Sequence, residues 1–567
     1  MTAQTHKNDT LKPLPYGEKS LNHIIEDAVK NNWERLALSD FGGVNLKFSD
    51  VAEIIEKLHI LYQTAGIKPG DKIAICGKNS AHWAAVFISC LTYGAVAVPI
   101  LHEFKPDNIH NLVNHSEAKL LFTDKQIFEK LDEKKLPGLI AAFFISEEGI
   151  AFSRSKTLTK ARGEINELFG EKFPEEFTPA DICYFRDQPD DLALINYTSG
   201  STGAPKGVML PFLSIWSNIR YSIDDLDFLK PGDGMVNMLP LGHLYGMVIE
   251  MLHPFVKGCN CHFLTKVPSP KILLGAFAEV RPKLIITVPL VLEKIIKSKV
   301  FPKIQTPLME ILLKIPFVNN KIYSKIRETL INVFGGEVLE IIIGGAPLNA
   351  DVEKFLYRIK FPVTVGYGMT ECGPLLTYAP PQESKPHTVG RIVDRMQVKI
   401  DSPDPVNIPG NIMVKGDNVM RGYFKNQEAT DEVFPNHDGW MNTGDMGTIS
   451  PDGMIAISGR SKTMILGPSG QNIYPEEIEQ KINNLPFVEE SLVIDDHGKL
   501  IALIFPNRDE ALKKGMSETD LQKLMDQGIK EVNKHLESYS KLSSCRLMDK
   551  EFEKTPKRSI KRFLYQP

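Results

Sequence analysis

The 567-residue chain predicts an α/β protein built from more than one lobe. Apolar runs of strand length alternate with amphipathic segments through most of the chain, which is typical of a layered α/β architecture. Clear apolar runs cover residues 72–76, 118–122, 284–288 and 340–343. A chain of this length also exceeds what one hydrophobic core normally supports. We therefore predict a large, multi-lobed N-terminal domain of mixed sheets with helices, followed by a small, mobile α+β C-terminal domain.

The boundary between the two domains is predicted near residue 461, which gives domains of residues 1–461 and 462–567. Beyond this point the chain is richer in lysine and glutamate. A helix is predicted there because six apolar residues share one helical face and because Ser517 and Asp520 form a variant capping box. A C-terminal piece of roughly a hundred residues is an ordinary size for a domain.

Composition and charge narrow the class of protein. The chain is 43% hydrophobic and 24% charged, as an ordinary soluble globular protein is. Its net charge of −4 is too small and too evenly spread to indicate a nucleic-acid partner. Seven cysteines without framework spacing fit a reducing compartment, and the N-terminus lacks the apolar core of a signal peptide. These features predict a cytoplasmic protein.

One apolar segment, residues 81–101, is long enough to raise the question of a membrane span. Polar residues interrupt it, and Gly94 followed by Pro99 predicts a helix, a turn and then a buried strand. We therefore assign the segment to the core and predict no transmembrane segment.

Residues 197–207, with the sequence YTSGSTGAPKG, are the most informative segment of the chain. Four hydroxyl side chains, three glycines and one lysine suit phosphate much better than an apolar ligand. The spacing is not that of a Walker loop, and the apolar runs on either side predict that the loop joins two strands. A mobile Ser/Gly linker is the alternative interpretation of the loop alone. The candidate phosphate-binding residues are Thr198, Ser199, Gly200, Ser201, Thr202, Gly203 and Lys206.

This loop closely resembles the phosphate loop of adenylate-forming enzymes, the superfamily of acyl-CoA synthetases, firefly luciferases and nonribosomal-peptide adenylation domains. Further motifs follow in the order that the superfamily shows, so that the resemblance covers roughly residues 49–561. The chain is most similar to bacterial long-chain fatty acid–CoA ligases. The resemblance implies that residues 1–461 form an AMP-binding adenylation domain and that residues 462–567 form a mobile lid.

Two glycine-containing segments resemble family segments that contact the base and the α-phosphate of the nucleotide. The glycines of GGAPL, at 344–348, would let the backbone lie flat against a planar base. In VGYGMTE, at 365–371, the resemblance implies that Tyr367 stacks on adenine, that Thr370 contacts the α-phosphate and that Glu371 binds Mg²⁺. A turn with a capping threonine and a core tyrosine is the alternative for this segment alone. The further candidates for nucleotide binding here are Gly344, Gly345, Ala346, Pro347, Gly368 and Met369.

The motifs near the domain boundary imply ribose contacts, a hinge and a thiol channel. Asp445 matches an aspartate that accepts hydrogen bonds from the ribose hydroxyls, and Arg460 matches an arginine that also reaches the ribose. Lys462 falls at the position of the family's hinge residue. Gly470 lies in a loop that, in the family, enters the active site for thioester formation and leaves room for pantetheine.

The acyl pocket is expected to include residues 235–250. Within it, residues 239–245 resemble a family segment that borders the acyl pocket, and His243 is interpreted as a pocket-wall residue instead of a base. It carries no arginine or lysine that could recognise the second charge of a diacid, so it favours an aliphatic or aromatic monoacid.

The C-terminal motif departs from the family pattern. Where the family has its catalytic lysine, the ungapped match in this chain is Ser559. A serine cannot offset the charge between an attacking carboxylate and the α-phosphate. Lys557 and Lys561 lie two residues to either side and would share a face with the serine in an extended segment, and Lys561 is slightly favoured as the substitute. The alternative is that both are solvated tail charges.

Together the motifs imply an ATP-dependent fatty acid–CoA ligase that uses ATP, Mg²⁺ and coenzyme A and passes through an acyl-AMP intermediate. Three alternatives stay open: an acyl-AMP ligase that loads a carrier protein, an aryl-CoA ligase, and a nucleotide-binding protein impaired in adenylation. The sequence leaves the oligomeric state open.

Overall fold

The computed structural model describes residues 20–146, 149–198, 205–266, 269–466, 472–555 and 560–566. Within these ranges strands and helices alternate in seven sheets, so the predicted α/β class is confirmed. The strands, numbered in chain order, are β1 (Leu36–Asp40), β2 (Asn45–Lys47), β3 (Lys72–Cys76), β4 (Val96–Ile100), β5 (Leu120–Thr123), β6 (Ala141–Phe144), β7 (Ile150–Ser153), β8 (Leu192–Thr198), β9 (Lys206–Pro211), β10 (Gly234–Asn237), β11 (Asn260–Phe263), β12 (Leu284–Thr287), β13 (Glu340–Ile343), β14 (Val363–Val365), β15 (Tyr367–Gly368), β16 (Leu375–Tyr378), β17 (Arg391–Ile392), β18 (Met396–Asp401), β19 (Gly410–Gly416), β20 (Gly422–Tyr423), β21 (Met441–Ile449), β22 (Ile455–Arg460), β23 (Ile465–Leu466), β24 (Asn472–Ile473), β25 (Val488–Asp496), β26 (Lys499–Pro506) and β27 (Ser544–Leu547).

The helices cover the faces of these sheets. In chain order they are α1 (Leu21–Asn31), α2 (Phe48–Thr64), α3 (Ala81–Tyr93), α4 (Pro106–Ser116), α5 (Lys125–Phe128), α6 (Lys156–Gly163), α7 (Ile165–Lys172), α8 (Phe212–Asp225), α9 (His253–Val256), α10 (Pro270–Val280), α11 (Pro289–Ile295), α12 (Phe301–Ile304), α13 (Pro307–Leu312), α14 (Val318–Val333), α15 (Ala350–Arg358), α16 (Gln427–Val433), α17 (Pro475–Ile482), α18 (Arg508–Lys513) and α19 (Glu518–Lys534).

An eight-stranded sheet with the order β20-β9-β8-β4-β3-β5-β6-β7 carries the phosphate-loop strands. Its centre is parallel, whereas the pairs β8–β9, β9–β20 and β6–β7 are antiparallel. The central strands β3, β4 and β5 are almost wholly buried, as expected of a sheet with helices on both faces. Residues 81–101 form α3, a left-handed turn at Gly94 with φ 79°, and the buried β4, as the sequence predicted.

Smaller sheets surround this one and bring the remaining motifs to its edge. The sheet β12-β13-β14 is parallel and ends at the GGAPL segment, and β10-β11-β1-β2 packs beside it. The antiparallel sheets β15-β16-β17 and β18-β19-β21-β22 carry Tyr367, Asp445 and Arg460. No helix in the described part of the chain is long and apolar enough to cross a bilayer.

The C-terminal part contains the sheet β25-β26-β27 and the helices α17–α19. The predicted helix is α19, and the capping box of Ser517 with Asp520 is present. Helix α17 lies against the GGAPL segment, because Gln480 Nε2 donates to the carbonyl oxygen of Leu348 at 3.0 Å and Asn484 contacts Asn349. The C-terminal part is therefore in direct contact with a predicted nucleotide loop.

Candidate functional site

The two strands that flank the phosphate loop bring Thr198 and Lys206 side by side. Thr198 ends β8, Lys206 begins β9, and the two residues are partners in the antiparallel register. The Thr198 hydroxyl donates to the carbonyl oxygen of Lys206 at 3.5 Å. The loop therefore joins two strands, as predicted. The remaining candidates in it lie outside the described residues: Ser199, Gly200, Ser201, Thr202 and Gly203.

Tyr423 lies between Lys206 and Glu371. The Lys206 ammonium is 5.0 Å from the centroid of the Tyr423 ring, in a cation–π contact. The Tyr423 hydroxyl donates to Glu371 Oε1 at 2.9 Å. The position of Tyr423 follows from the pairing of β20 with β9 at the edge of the large sheet. The structure thus brings the predicted phosphate lysine and the predicted metal carboxylate to one tyrosine, which no sequence motif indicated.

Glu371 fits a magnesium ion that is held jointly with a nucleotide. It lies in a short 3₁₀ turn, Thr370–Cys372, and its carbonyl oxygen accepts from the Met420 amide at 2.8 Å. Among the described residues, His, Cys, Asp and Glu side chains form no group of three or more that could hold a metal. Mg²⁺ is commonly bound through one or two carboxylates plus substrate phosphates and water, so a single carboxylate beside Thr370 matches that mode.

Asp445 forms the centre of the predicted ribose site. The Tyr367 hydroxyl donates to Asp445 Oδ2 at 2.6 Å, and Arg460 Nε lies 3.4 Å from Asp445 Oδ1. Asp445 and Arg460 face each other across the antiparallel pair β21–β22. Burial raises the pKa of the Asp445 carboxyl, and the nearby Arg460 charge opposes that rise. The structure thus brings together the three residues that the motifs assign to the nucleoside.

The GGAPL loop follows β13 and requires glycine at two places. A Cβ atom on Gly344 would lie only 3.0 Å from the Tyr245 ring and hydroxyl, so the tyrosine excludes a side chain there. Gly345 has φ +83°, a left-handed conformation that favours glycine. Gly345, Ala346 and Pro347 are exposed, which leaves the loop open to a ligand.

A cavity connects this loop with an apolar and aromatic wall. The residues that line it are Tyr221, Ser222, Asp225, Leu226, His243, Tyr245, Ile249, Ile342, Gly344, Gly345, Gly366, Tyr367, Gly368, Met369, Thr370, Pro374, Leu375 and Tyr378. Of the predicted pocket stretch, His243, Tyr245 and Ile249 reach the cavity, whereas other members such as Met235 and Met247 are fully buried in the core. The pocket wall is therefore shared with α8, which sequence reasoning did not include.

Glu250 supports the loop that carries His243. Its carboxylate is fully buried and accepts from the amides of Met238 and Leu239, each at 2.9 Å. Burial raises its pKa well above the usual range. Glu250 lies at the end of a π-helical turn, Tyr245–Leu252, which also positions Tyr245. Its role here is to hold the loop in place.

Two carboxyl groups lie at and behind the α8 side of the cavity. Partial burial, together with nearby Asp394, raises the pKa of Asp225 to about 6. Burial raises the pKa of Glu340 to about 7, and the Tyr378 hydroxyl donates to Glu340 Oε1 at 2.6 Å. Above the pKa of Asp225, a ligand with a second carboxylate would meet the negative charge of Asp225 on this side.

Glu432 links the phosphate lysine to the predicted hinge. Its Oε1 is 2.6 Å from Lys462 Nζ, and its Oε2 is 3.9 Å from Lys206 Nζ. The hydrogen bond from Lys462 lowers the pKa of Glu432. Glu432 belongs to α16 and had no motif signal, so this bridge became visible only in three dimensions.

The C-terminal candidates are not assembled with the other site residues. Lys561 Nζ is 3.6 Å from Glu553 Oε2, and the Lys561 amide donates to the Glu553 carbonyl oxygen at 2.8 Å. Within the described part of the chain, the ion pair of Lys561 is thus with a residue of the C-terminal part and not with Glu371. Lys557, Ser559 and Gly470 lie outside the described residues.

Comparisons with known proteins identify the family of the chain. The family model "AMP-binding enzyme" matches residues 25–424, and the model "AMP-binding enzyme C-terminal domain" matches residues 462–565. The long-chain-fatty-acid–CoA ligase FadD15 of Mycobacterium bovis is 26% identical over 88% of this chain and 86% of its own. The putative acyl–CoA ligase YdaB of Bacillus subtilis is 27% identical over 84% and 86%.

Solved structures share the fold at lower identity. The anthranilate CoA ligase AuaEII in complex with anthranoyl-AMP superposes with a TM-score of 0.77 at 19% identity, over 97% of both chains. ATP-bound MatB of Rhodopseudomonas palustris superposes with a TM-score of 0.74 at 21% identity, over 96% of this chain and 98% of that one. The family match covers more than half of the chain, and it confirms the resemblance that the motifs indicated. The chain therefore belongs to the AMP-binding enzyme family, the adenylate-forming superfamily.

Proposed function

We propose that this chain ligates a fatty acid of medium to long chain to coenzyme A through an acyl-AMP intermediate, with release of pyrophosphate and AMP. The observation that carries the proposal is the cavity in which the nucleotide residues Gly344, Tyr367 and Thr370 share one space with the apolar wall around Ile249. A carboxylate at the end of an apolar chain would meet the α-phosphate of ATP at this junction. The names of FadD15 and YdaB support the same reaction class.

In the first step a carboxylate oxygen attacks the α-phosphorus and the bond to pyrophosphate breaks. Two anions must approach each other, and donors at Thr198, Lys206 and Thr370 would offset the developing charge. Mg²⁺ bound at Glu371 would neutralise phosphate charge. Lys561 or Lys557 would complete this set after the small domain turns about Lys462.

In the second step the CoA sulfur attacks the acyl carbonyl carbon, AMP leaves with the electron pair of the broken bond, and the thiol proton passes to solvent. The family resemblance implies that Gly470 leaves room for the incoming pantetheine arm. The contacts between α17 and the GGAPL loop support the proposal that the orientation seen here serves thioester formation. Lys561, which is paired with Glu553 here, would serve adenylation after the C-terminal part has rotated. The cysteine usage of the chain supports a cytoplasmic location.

The electrostatics of the cavity favour a monocarboxylic acid. Asp225 lines it, and its ionised carboxylate would repel a second acidic group on the substrate. An aryl acid is the second candidate, because Tyr221, Tyr245 and Tyr378 provide aromatic walls and because the fold is shared with an anthranilate CoA ligase.

The test is the release of pyrophosphate and AMP with Mg-ATP across acids from acetate to oleate plus benzoate, with and without CoA. CoA-dependent AMP formation that peaks with long chains supports the proposal, and a peak with benzoate moves it to an aryl acid. Pyrophosphate release that is indifferent to CoA points to a carrier protein as the acceptor. ATP binding without pyrophosphate release for any acid would refute ligase activity.

A further inference from the structure

Strand β20 is hydrogen-bonded to the two segments that carry the predicted phosphate lysine and the predicted metal carboxylate. On one side, the Phe424 amide donates to the carbonyl oxygen of Gly207 at 2.7 Å, and Gly207 directly follows Lys206. On the other side, the Met420 amide donates to the carbonyl oxygen of Glu371 at 2.8 Å. The backbone of one short strand therefore connects the phosphate lysine with the metal carboxylate.

The local structure holds the Tyr423 side chain of this strand in one position. Gly422 has φ +138°, a conformation that favours glycine, and a Cβ atom there would lie only 2.7 Å from Thr430 Cγ2. This close approach of α16 lets the Thr430 hydroxyl accept from the Tyr423 amide at 2.9 Å. Tyr423 is 7% exposed and belongs to the main hydrophobic core. Packing thus fixes the direction of its hydroxyl.

The Tyr423 hydroxyl binds one oxygen of the Glu371 carboxylate. It donates to Glu371 Oε1 at 2.9 Å, because an ionised carboxylate only accepts hydrogen bonds. Within the described part of the chain, the other oxygen, Oε2, makes no hydrogen bond or ion pair. A partner that hydrogen-bonds a ligating carboxylate orients it, and the loss of such a partner commonly costs 10–100-fold in metal affinity. The hydroxyl is therefore placed to orient Glu371 toward Mg²⁺.

The ring of the same tyrosine holds the phosphate lysine. Lys206 Nζ is 5.0 Å from the centroid of the Tyr423 ring. A phenylalanine ring would keep this cation–π contact, whereas only the tyrosine hydroxyl can donate to Glu371. One substitution, Tyr423→Phe, therefore separates the contact with the lysine from the contact with the carboxylate.

We propose that Tyr423 is a positioning residue for Mg-ATP, whose hydroxyl orients the Glu371 carboxylate while its ring holds Lys206 for the phosphates. The proposal rests on the use of Mg-ATP in the proposed function and does not depend on which acid is the substrate. A tyrosine that served only the core would affect stability when its hydroxyl is removed. It would not affect the contribution of Mg²⁺ to ATP binding.

Calorimetric titration of the full chain with ATP, in the absence of acid and CoA, tests the proposal. Each protein is titrated once with excess Mg²⁺ and once with EDTA, and the ratio of the two dissociation constants measures the contribution of the metal. The variants are Tyr423→Phe, Glu371→Gln and the double variant. The matched control is Tyr93→Phe, because the Tyr93 hydroxyl also donates at 2.9 Å, to the carbonyl oxygen of Ile67, and lies on α3 away from the cavity.

We expect Tyr423→Phe to lower the contribution of Mg²⁺ by about tenfold and to keep the ATP affinity in EDTA within about twofold. Unaltered binding in EDTA also shows that the variant is folded. The Tyr93→Phe control should match the unaltered chain in both titrations. In the Glu371→Gln background, Tyr423→Phe should cause no further loss, because the hydroxyl acts through that carboxylate.

Four results would each overturn the proposal: an unchanged ratio in Tyr423→Phe, an equal loss in Tyr93→Phe, a further loss in the double variant, or equal ATP affinity of the unaltered chain with and without Mg²⁺. Pyrophosphate release with the panel of acids is measured in parallel on the unaltered chain. Its failure with every acid, beside the expected binding results, would refute the ligase reaction and leave the role of Tyr423 in Mg-ATP binding supported.

Discussion

Glu432 lies between two lysines, and we predict that Glu432→Gln lowers the KM for Mg-ATP. Its carboxylate oxygens are 3.9 Å from Lys206 Nζ and 2.6 Å from Lys462 Nζ. Phosphates that bind Lys206 must compete with this carboxylate and approach its negative charge. Glutamine keeps the size of the side chain and one acceptor oxygen but removes the charge. The substitution therefore removes the competition without opening a cavity.

The size of the effect follows from the distance and from exposure. Unit charges 3.9 Å apart interact by about 1 kcal/mol in water and by about 4 kcal/mol at the effective dielectric constant near a protein surface. Glu432 is 51% exposed and Lys206 21%, so water screens the pair and the lower figure applies. About 1 kcal/mol corresponds to roughly a fivefold change in affinity. We expect the KM for Mg-ATP to fall by about twofold to fivefold. The difference in KM between the variant and the unaltered enzyme should become smaller at high salt, because salt screens the pair.

Pyrophosphate release at varied ATP and fixed acid measures this KM. Glu428→Gln is the matched control, because Glu428 is an exposed glutamate one helical turn earlier on α16. The control should keep the KM of the unaltered enzyme. An unchanged or raised KM in Glu432→Gln, or an equal fall in Glu428→Gln, would refute the reasoning that this carboxylate competes with phosphate for Lys206.

Three further predictions address the C-terminal lysine, the pH dependence of stability and the hinge. Lys561→Ala should slow pyrophosphate release by roughly a hundredfold while sparing thioester formation from supplied acyl-AMP; a selective loss in Lys557→Ala instead would assign the role to the other lysine. Because the pKa of Glu340 is raised from 4.5 to about 7, the native state keeps a proton that the unfolded state has lost, so the free energy of unfolding should fall as the pH rises between these values. Glu340→Gln should reduce that pH-dependent fall in the free energy of unfolding by about 3 kcal/mol in denaturant titrations, and an unaltered pH dependence would contradict the raised pKa of Glu340. Lys462→Pro should spare adenylation and suppress thioester formation, whereas equal loss of both half-reactions would contradict the assignment of Lys462 as the hinge.

The fold was predictable where one rule decides local structure. The buried strands β3 and β13 are continuous apolar runs, and α19 shows an apolar face with a capping box, so periodicity and cap chemistry sufficed. The phosphate loop was placed between strands because apolar runs flank it on both sides. The motif residues Tyr367, Asp445 and Arg460 do meet in space, since cross-strand register brings the last two together.

The sequence did not reveal contacts that depend on tertiary packing. Tyr423 and Glu432 come from an edge strand and a short helix, more than two hundred residues beyond Lys206, and neither belongs to a local pattern. The predicted pocket stretch 235–250 is mostly apolar and shows no periodic pattern of polar residues, so periodicity could not separate the residues that line the cavity from those that fill the core. The contribution of Asp225 arises because α8 packs across the same cavity.

A continuous series of contacts runs from the predicted metal carboxylate to the predicted hinge, and it implies a coupling between phosphate binding and domain orientation. Tyr423 connects Glu371 to Lys206, and Glu432 connects Lys206 to Lys462. When a phosphate binds Lys206, the Glu432 carboxylate pairs with Lys462 alone. This pair favours the orientation of the C-terminal part that is seen here. By thermodynamic reciprocity, an orientation that parts Lys462 from Glu432 returns the carboxylate to Lys206 and weakens phosphate binding. Because these pairs are half exposed, the coupling amounts to at most about 1 kcal/mol. That is too little to lock either orientation and enough to bias which one a bound nucleotide selects.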